Sequence, residues 1–160
     1  MTSARQTWAT KRLDELVSGQ TILPPVIQTL RLGGLGEWGV GWIKKRWHPD
    51  ADVLNVDGSL FGGYIAALAD QAMAFAAMTV VPADSVFRTT NLSVNFIRVG
   101  RAHPLVIEAV VVAQTRQLLT VRATIKREDG ALIADASAQQ ILQPSQERRE
   151  QDAEAGPNNM

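Results

Sequence analysis

One segment, residues 60–81, limits the folds open to this chain more than any other part of the sequence. It reads LFGGYIAALADQAMAFAAMTVV, and seven of the fifteen residues from Tyr64 to Met78 are alanine. The pattern predicts a helix that Pro82 ends. Large apolar residues lie on several of its faces, and a helix of that kind is buried nearly all round. The rest of the chain is therefore expected to wrap around one small-residue helix.

A membrane-spanning helix is the competing interpretation of this segment. Its length would suffice, but Asp70 lies at its middle. A central aspartate costs roughly 2.5 to 3.5 kcal/mol for insertion, and alanine offsets little of that cost. The charged residues near the N-terminus have no apolar run behind them, so they lack the pattern of a secretory signal. We therefore expect a buried helix, no membrane partner and a cytoplasmic protein.

The segments around this helix predict strands. The glycines and alternating tryptophans of residues 29–47 favour two strands or one long bent hairpin, and an extra helix is predicted over 2–19. Short turn sequences at 99–101, 115–116 and 128–130 indicate that the last four strands form an antiparallel meander. The expected fold class is α+β, with an antiparallel sheet of five or six strands curled around the long helix. The four later strands are predicted at residues 90–98, 104–114, 117–126 and 131–142.

Length and composition limit the number of domains and the kinds of ligand that this chain can be expected to bind. The 160 residues fit a single domain, which we expect over 1–144, and the polar segment 145–160 is predicted to be a disordered tail. Sixteen basic against sixteen acidic residues give no net charge, which removes the electrostatic argument for binding nucleic acid. The chain has no cysteine, and its two histidines, His48 and His103, fall in unrelated predicted loops. We therefore expect no metal and no cofactor.

The beginning of the long helix is where chemistry is expected. Backbone N–H groups in the first turn of a helix have no partner within it, and Gly62 and Gly63 leave these donors uncovered for a carbonyl or an oxyanion. Asp70 is the only charged residue between Gly58 and Asp84, which makes it a candidate nucleophile or general base. The alternative is a purely structural role, in which the two glycines only allow the helix to pack closely and Asp70 is a carboxylate held by hydrogen bonds.

The spacing of these groups predicts an assembly. Gly63 and Asp70 are seven residues apart, so they share one face of the helix but lie about 10.5 Å apart along its axis. One carbonyl cannot easily touch both groups. Two antiparallel copies of the helix would bring the amides of one chain beside the carboxylate of the other. We therefore expect an obligate homodimer with two shared sites. Two such dimers are expected to pair into a homotetramer, but the sequence does not decide between the dimer and the tetramer.

At this point the residues are similar to a known family, the hotdog-fold acyl-CoA thioesterases, and in particular their phenylacetyl-CoA thioesterase-like branch. That family has an Asn, a Gly-x-x-His-Gly-Gly turn, and a helix with an acidic residue about eight positions past the first glycine of the pair. The stretch 89–98 resembles the strand after the helix, and 129–134 the last hairpin; the resemblance spans roughly 40–142. The matching positions in NVDGSLFGGYIAALAD are Asn55, Gly58, Gly62, Gly63 and Asp70.

The resemblance implies a hotdog fold and hydrolysis of an acyl-CoA to a free acid and coenzyme A. The Gly62 amide, with that of Gly63, would polarise the thioester carbonyl. Asp70 of the partner subunit would attack that carbonyl or activate water. Asn55 would orient the group, and Thr89 falls where the family often places a hydroxyl that positions the water. Shifting the alignment by one residue would give this place to Thr90.

Phe61 departs from the family pattern, because it stands where the family usually has histidine. A phenyl ring neither donates a hydrogen bond nor orients a polar group, which keeps open a catalytically silent protein that binds acyl-CoA or an acyl carrier. Phe61 and Thr90 are then expected to contact the substrate. Arg98 and Arg101 lie at predicted turns where they could meet the phosphates of coenzyme A.

Overall fold

The computed structural model describes residues 6–147, 149 and 150, and it shows one six-stranded sheet and one long helix. Every neighbouring pair of strands in the sheet is antiparallel. The predicted α+β class, the sheet, the long helix and the extra N-terminal helix are confirmed. The elements are α1 (Trp8–Ser18), α2 (Pro25–Thr29), β1 (Glu37–Gly39), β2 (Trp42–Trp47), a 3₁₀ turn (Ala51–Val53), α3 (Gly62–Met78), β3 (Ser85–Phe96), β4 (Leu105–Gln114), β5 (Leu118–Arg127) and β6 (Leu132–Pro144).

The core lies between α3 and one face of the sheet. Alternate residues of each central strand are buried against the helix, as the two-residue period of a strand requires. On β6 this row begins with Ala134, Ala136 and Ala138, which leave room for close approach, while β5 supplies larger side chains. The described residues contain no helix long and apolar enough to cross a membrane. The inward row of β5 is Leu119, Val121, Ala123 and Ile125.

The strand order, β1-β2-β4-β5-β6-β3, corrects the predicted meander. Only β4, β5 and β6 follow one another, while β3 lies at the edge beside β6 and is not a neighbour of β4. The residues between Phe96 and Leu105 form no tight hairpin, because the Gly100 carbonyl accepts a hydrogen bond from the Leu60 amide at 2.8 Å. This bond fixes the connection to the loop before α3, and the chain crosses the end of the sheet to reach β4.

The boundaries differ from the predictions at several ends. Helix α1 begins only at Trp8, where Thr7 provides a capping box, and it ends as predicted at Gly19, which has φ 68°. Residues 2–5 of the predicted helix lie outside the described residues. Helix α3 is shorter than the predicted 60–81, and the short α2 after Pro24 was not predicted. In the predicted tail, 146–147 and 149–150 are helical, while 148 and 151–160 lie outside the described residues.

One edge of the sheet and one stripe of α3 remain uncovered. Along β3, hydrogen-bonded pairing within the described residues is with β6 alone. Leu92 and Phe96 share the helix-facing side with Ala138 and Ala134, yet they are 39% and 56% exposed. The expected all-round burial of the helix is therefore not met within one chain. The partly or fully exposed stripe of α3 includes Gly63, Ala66, Ala67, Asp70 and Ala74.

Candidate active site

The loop before α3 fixes where the helix begins. The Asn55 amide donates to the Ser59 carbonyl at 2.7 Å, and Gly58 adopts φ 78°, a conformation that favours glycine. The Asp57 carboxylate accepts hydrogen bonds from the Ser59 hydroxyl and amide at 2.6 and 3.0 Å, which lower the pKa of Asp57. The loop is therefore held by its own polar groups, and Leu60 anchors it to Gly100.

The first two amides of α3 are free donors. Phe61 occupies the N-cap position and provides no side-chain acceptor, while its carbonyl accepts from the Tyr64 and Ile65 amides at 2.9 and 3.3 Å. Among the described residues, none accepts a hydrogen bond from the amides of Gly62 and Gly63. The positive end of the helix dipole adds to the attraction of these donors for an anionic oxygen.

Two phenyl rings flank these glycines. A β-carbon on Gly63 would lie 2.5 Å from the nearest ring atom of Phe61, and one on Gly62 would lie 3.3 Å from the Phe96 ring. The free amides therefore lie between two aromatic side chains, both more than half exposed. Phe96 was not predicted as a site residue. Its only signal was its place in the alternating pattern of β3, which does not reveal that β3 runs past the start of α3.

A cleft of about 310 Å³ opens at Gly62, the first residue of α3. The Arg98 guanidinium lines it and donates to the Leu132 carbonyl at 3.0 Å, while Arg101 donates to the Asp57 carbonyl at 3.2 Å. Both predicted phosphate contacts thus lie at the same end of the fold as the glycines. The residues that shape the cleft include Leu60, Gly62, Ile65, Phe96, Ile97 and Arg98.

Asp70 and Thr89 form a second group, further along the helix. The Thr89 hydroxyl donates to the Asp70 carboxylate at 3.2 Å. A β-bulge at Thr90 shifts the register of β3 against β6, and it turns Thr89 toward the helix. The hydroxyl of Thr90 donates instead to the Gln139 carbonyl at 3.1 Å. Of the two threonines left open by the sequence, Thr89 is therefore the one that contacts Asp70.

One chain keeps the predicted site residues in two separate groups. Asn55 lies in the loop near the amides, where its side chain donates to the Ser59 hydroxyl at 3.0 Å. Asp70 and Thr89 lie about two helical turns away from Gly62 and Gly63. The described residues contain no group of three or more His, Cys, Asp or Glu side chains placed to hold a metal ion.

Lys45 is a buried lysine that contacts Gln71, the residue after Asp70, and the sequence analysis did not predict it. Lys45 is 2% exposed, and its ammonium group donates to the Leu32 carbonyl and to the Gln71 side chain, both at 2.6 Å. Burial lowers the pKa of Lys45 to about 7. The alternation of β2 could have revealed it, because Lys45 lies between two inward residues, Ile43 and Trp47.

The comparisons with known proteins agree with this fold. Residues 57–134, from the loop before α3 into β6, match the model of the thioesterase superfamily. The matched segment contains α3 and the strands β3, β4 and β5. The fold is the hotdog fold, and the class of enzyme is thioester hydrolase. The resemblance to the hotdog-fold thioesterases is thereby confirmed, while the phenylacetyl-CoA thioesterase-like branch and the acyl-CoA substrate stay predictions. No curated protein matches the chain in sequence.

Several solved structures share the fold at low sequence identity. A phenylacetic acid degradation-related protein from Ralstonia eutropha is 23% identical, with a TM-score of 0.72 over 81% of this chain and 98% of that one. A thioesterase family protein from Silicibacter pomeroyi is 21% identical, with a TM-score of 0.73 over 86% and 99%. A protein from Streptococcus mutans bound to acetyl-CoA is 20% identical, with a TM-score of 0.64 over 69% and 88%.

Proposed function

We propose that this chain hydrolyses an acyl-CoA thioester to a free acid and coenzyme A. The observation that carries the proposal is the pair of free amides of Gly62 and Gly63 at an uncapped helix start, where Gly62 lines a cleft. The match to the thioesterase superfamily supports a thioester as the substrate. The acetyl-CoA bound to the Streptococcus mutans protein supports coenzyme A as the thiol. The acyl group is not specified by these observations.

In the proposed reaction, the thioester carbonyl oxygen accepts hydrogen bonds from the Gly62 and Gly63 amides. These donors stabilise the negative charge that develops on the oxygen during attack. The partner's Asp70 either removes a proton from the attacking water or attacks the carbonyl itself. In both routes the carbon–sulfur bond breaks and the thiolate of coenzyme A takes up a proton. When water attacks, it supplies the second oxygen of the acid directly. When Asp70 attacks, an anhydride between the acyl group and Asp70 forms, and water then attacks its acyl carbon, which releases the acid and regenerates the carboxylate.

A homodimer brings the two groups together in this proposal. The open edge of β3 offers unpaired backbone groups to a second β3, and antiparallel pairing there would set two α3 helices side by side. The exposed stripe of α3 that contains Gly63, Ala66 and Asp70 has small side chains, which allow the two α3 helices to approach each other closely. Each site would then combine the amides of one chain with Asp70 of the partner subunit. Whether two dimers pair into a tetramer stays a prediction.

Coenzyme A is expected to leave the site past the loop before α3. Arg98 lines the cleft and Arg101 donates to the Asp57 carbonyl in that loop, so both guanidinium groups would be placed to pair with phosphates. Asn55 is exposed in the same loop and can turn its amide toward the pantetheine arm or the acyl group. The cytoplasm, where acyl-CoA is available, is the proposed location.

A second candidate function rests on Phe61. Its ring lies against Gly63, at the position where the related family usually has histidine, and it donates no hydrogen bond to the sulfur or the carbonyl. A protein with this arrangement could bind acyl-CoA or an acyl carrier without turnover. Such a binder would show tight ligand binding and no thiol release at high protein concentration.

The test removes one amide proton with little other change. Gly62 is the first residue of α3, a position that accepts proline, and Phe61 has φ −62° and ψ 128°, which a following proline requires. Gly62→Pro therefore deletes the N–H group, while Gly62→Ala adds a methyl group near Phe96 and keeps it. Thiol release is measured with short, medium and aromatic acyl-CoAs.

We expect turnover by the wild type, a loss of about 100-fold in kcat for Gly62→Pro, and a loss of less than about tenfold for Gly62→Ala. Equal losses in the two variants would remove the amide from the reaction. Binding without turnover by the wild type would select the silent binder.

A further inference from the structure

Gln140 is a fully buried polar residue whose side chain has no partner. It lies on β6 and is 0% exposed, and neither its Oε1 nor its Nε2 atom makes a hydrogen bond among the described residues. Such an amide loses its hydrogen bonds to water on folding, so an apolar side chain of similar size would be more stable here. Native structures retain few groups of this kind, and the reason is often functional.

The position of Gln140 points to the candidate catalytic carboxylate. It continues the inward row of Ala134, Ala136 and Ala138, so it faces α3. In the pairing of β3 with β6, Gln140 is directly opposite Thr89. Directly opposite residues lie on the same face, with β-carbons about 5 Å apart. Rotation of the Gln140 side chain therefore brings its amide within reach of the Thr89 hydroxyl.

The hydrogen-bonding capacities of the two side chains are complementary. The Thr89 hydroxyl donates its one proton to Asp70, and its oxygen can still accept a hydrogen bond. The Nε2 group of Gln140 is a donor that lacks an acceptor. The bulge at Thr90 places Thr89 on this face, beside both residues. A chain of hydrogen bonds from Gln140 through Thr89 to Asp70 would satisfy the orphaned donor.

We propose that Gln140 is a positioning residue for the reaction, and this inference rests on the proposed function. In the assembled dimer, its Nε2–H group donates to the oxygen of Thr89 and directs the hydroxyl proton of Thr89 toward Asp70. Hydrogen bonds that run in one direction polarise one another, and they hold the Asp70 carboxylate in the orientation that attack requires. Gln140 acts through Thr89 and does not touch the substrate.

The test uses an apolar replacement of similar size. Gln140→Met keeps the volume and removes the amide, and Thr89→Val removes the hydroxyl. Gln139→Met is the matched control, because Gln139 is the adjacent glutamine on the exposed face. We expect about a tenfold loss of kcat for Gln140→Met and for Thr89→Val, with KM within about twofold. The control should match the wild type.

The double variant decides whether Gln140 acts through Thr89. We expect Gln140→Met combined with Thr89→Val to lose no more kcat than Thr89→Val alone. An unchanged kcat in Gln140→Met, or losses that multiply in the double variant, would overturn the proposal. Thermal unfolding is measured for the wild type, the two single variants and the double variant. This measurement needs no turnover, so it distinguishes failure of this proposal from failure of the proposed function. Non-additive shifts in Tm are expected, and additive shifts contradict the hydrogen-bond chain.

Discussion

Two neighbouring polar residues of α3 have opposite environments. Gln71 is 8% exposed and its amide is fully used, since its oxygen accepts from Lys45 at 2.6 Å and its nitrogen donates to the Gly33 carbonyl at 2.8 Å. Asp70 is partly exposed, and its one hydrogen bond among the described residues comes from Thr89 at 3.2 Å. Gln71 is thus a satisfied structural group, whereas one carboxylate oxygen of Asp70 accepts no hydrogen bond within the described part of the chain.

The difference follows from which elements face each residue. Gln71 points to β2 and to the segment before β1, so it ties two parts of the chain together through backbone carbonyls and Lys45. Asp70 points to β3, the open edge of the sheet. A polar residue inside an apolar helix can therefore serve stability or chemistry, and its partners distinguish the two roles. Substitutions at Asp70, Gln71, Lys45 and Phe61 should separate the two roles.

The largest effect is expected for Asp70→Asn. The substitution keeps size and hydrogen-bonding geometry but removes the nucleophile or base, so kcat for acyl-CoA hydrolysis should fall about 1,000-fold. The free energy of unfolding, measured by urea titration, should change by less than about 0.5 kcal/mol. A variant that turns over at the wild-type rate would assign Asp70 to the same structural role as Gln71.

The next effect is expected for Gln71→Leu and falls on stability. The change removes one of the two acceptors of the buried Lys45 and leaves the Gly33 carbonyl without its donor, so the protein should lose about 3 kcal/mol of unfolding free energy. The kcat of the folded fraction should fall by less than about tenfold. Unchanged stability together with lost activity would reverse the comparison with Asp70.

Lys45 makes the stability of the fold depend on pH. Its pKa is lowered from 10.5 to about 7 in the folded state because it is buried. Between these values the unfolded chain binds the proton and the folded protein does not, so unfolding free energy rises with pH from about 7 to about 10. Below pH 7 both states are charged and the slope vanishes. We expect Lys45→Met to lack this rise in urea titrations across the range; equal slopes in both proteins would contradict the burial of Lys45.

The smallest effect is expected for Phe61→His. The side chain is 57% exposed, so the fold should remain intact. The imidazole adds a donor next to Gly63 and should raise kcat by up to about tenfold or shift its pH dependence. Phe61→Leu is the control, because it removes the ring without adding a donor. A collapse of activity in the histidine variant would show that Phe61 is part of a different arrangement of the site.

The sequence predicted the elements better than their order. The alanine-rich helix and the alternating strands follow from local patterns, which is why α3 and β4–β6 were found. The place of β3 beside β6 depends on the long connection at 97–104, which Gly100 anchors to Leu60, and no local pattern encodes that contact. For the same reason the meeting of Phe96 with Gly62 was not foreseen.

The site shows the same division. Gly62, Gly63 and Asp70 were predicted because glycine pairs and a lone charge stand out in an apolar helix. The choice of Thr89 over Thr90 depends on a bulge, which follows from the pairing of two strands and cannot be read from one strand alone. Lys45 and Gln140 are buried polar residues in strands, where their inward direction is clear only once the register is known.

The central claim is that each site takes its amides from one chain and its carboxylate from another, and complementation between two inactive variants tests it most directly. Gly62→Pro and Asp70→Asn are coexpressed with different affinity tags, and thiol release is measured on the mixed protein. Half of the randomly formed dimers carry both variants, and each of these has one intact site, so about a quarter of wild-type activity should return. A mixed protein as inactive as either parent would contradict the shared site.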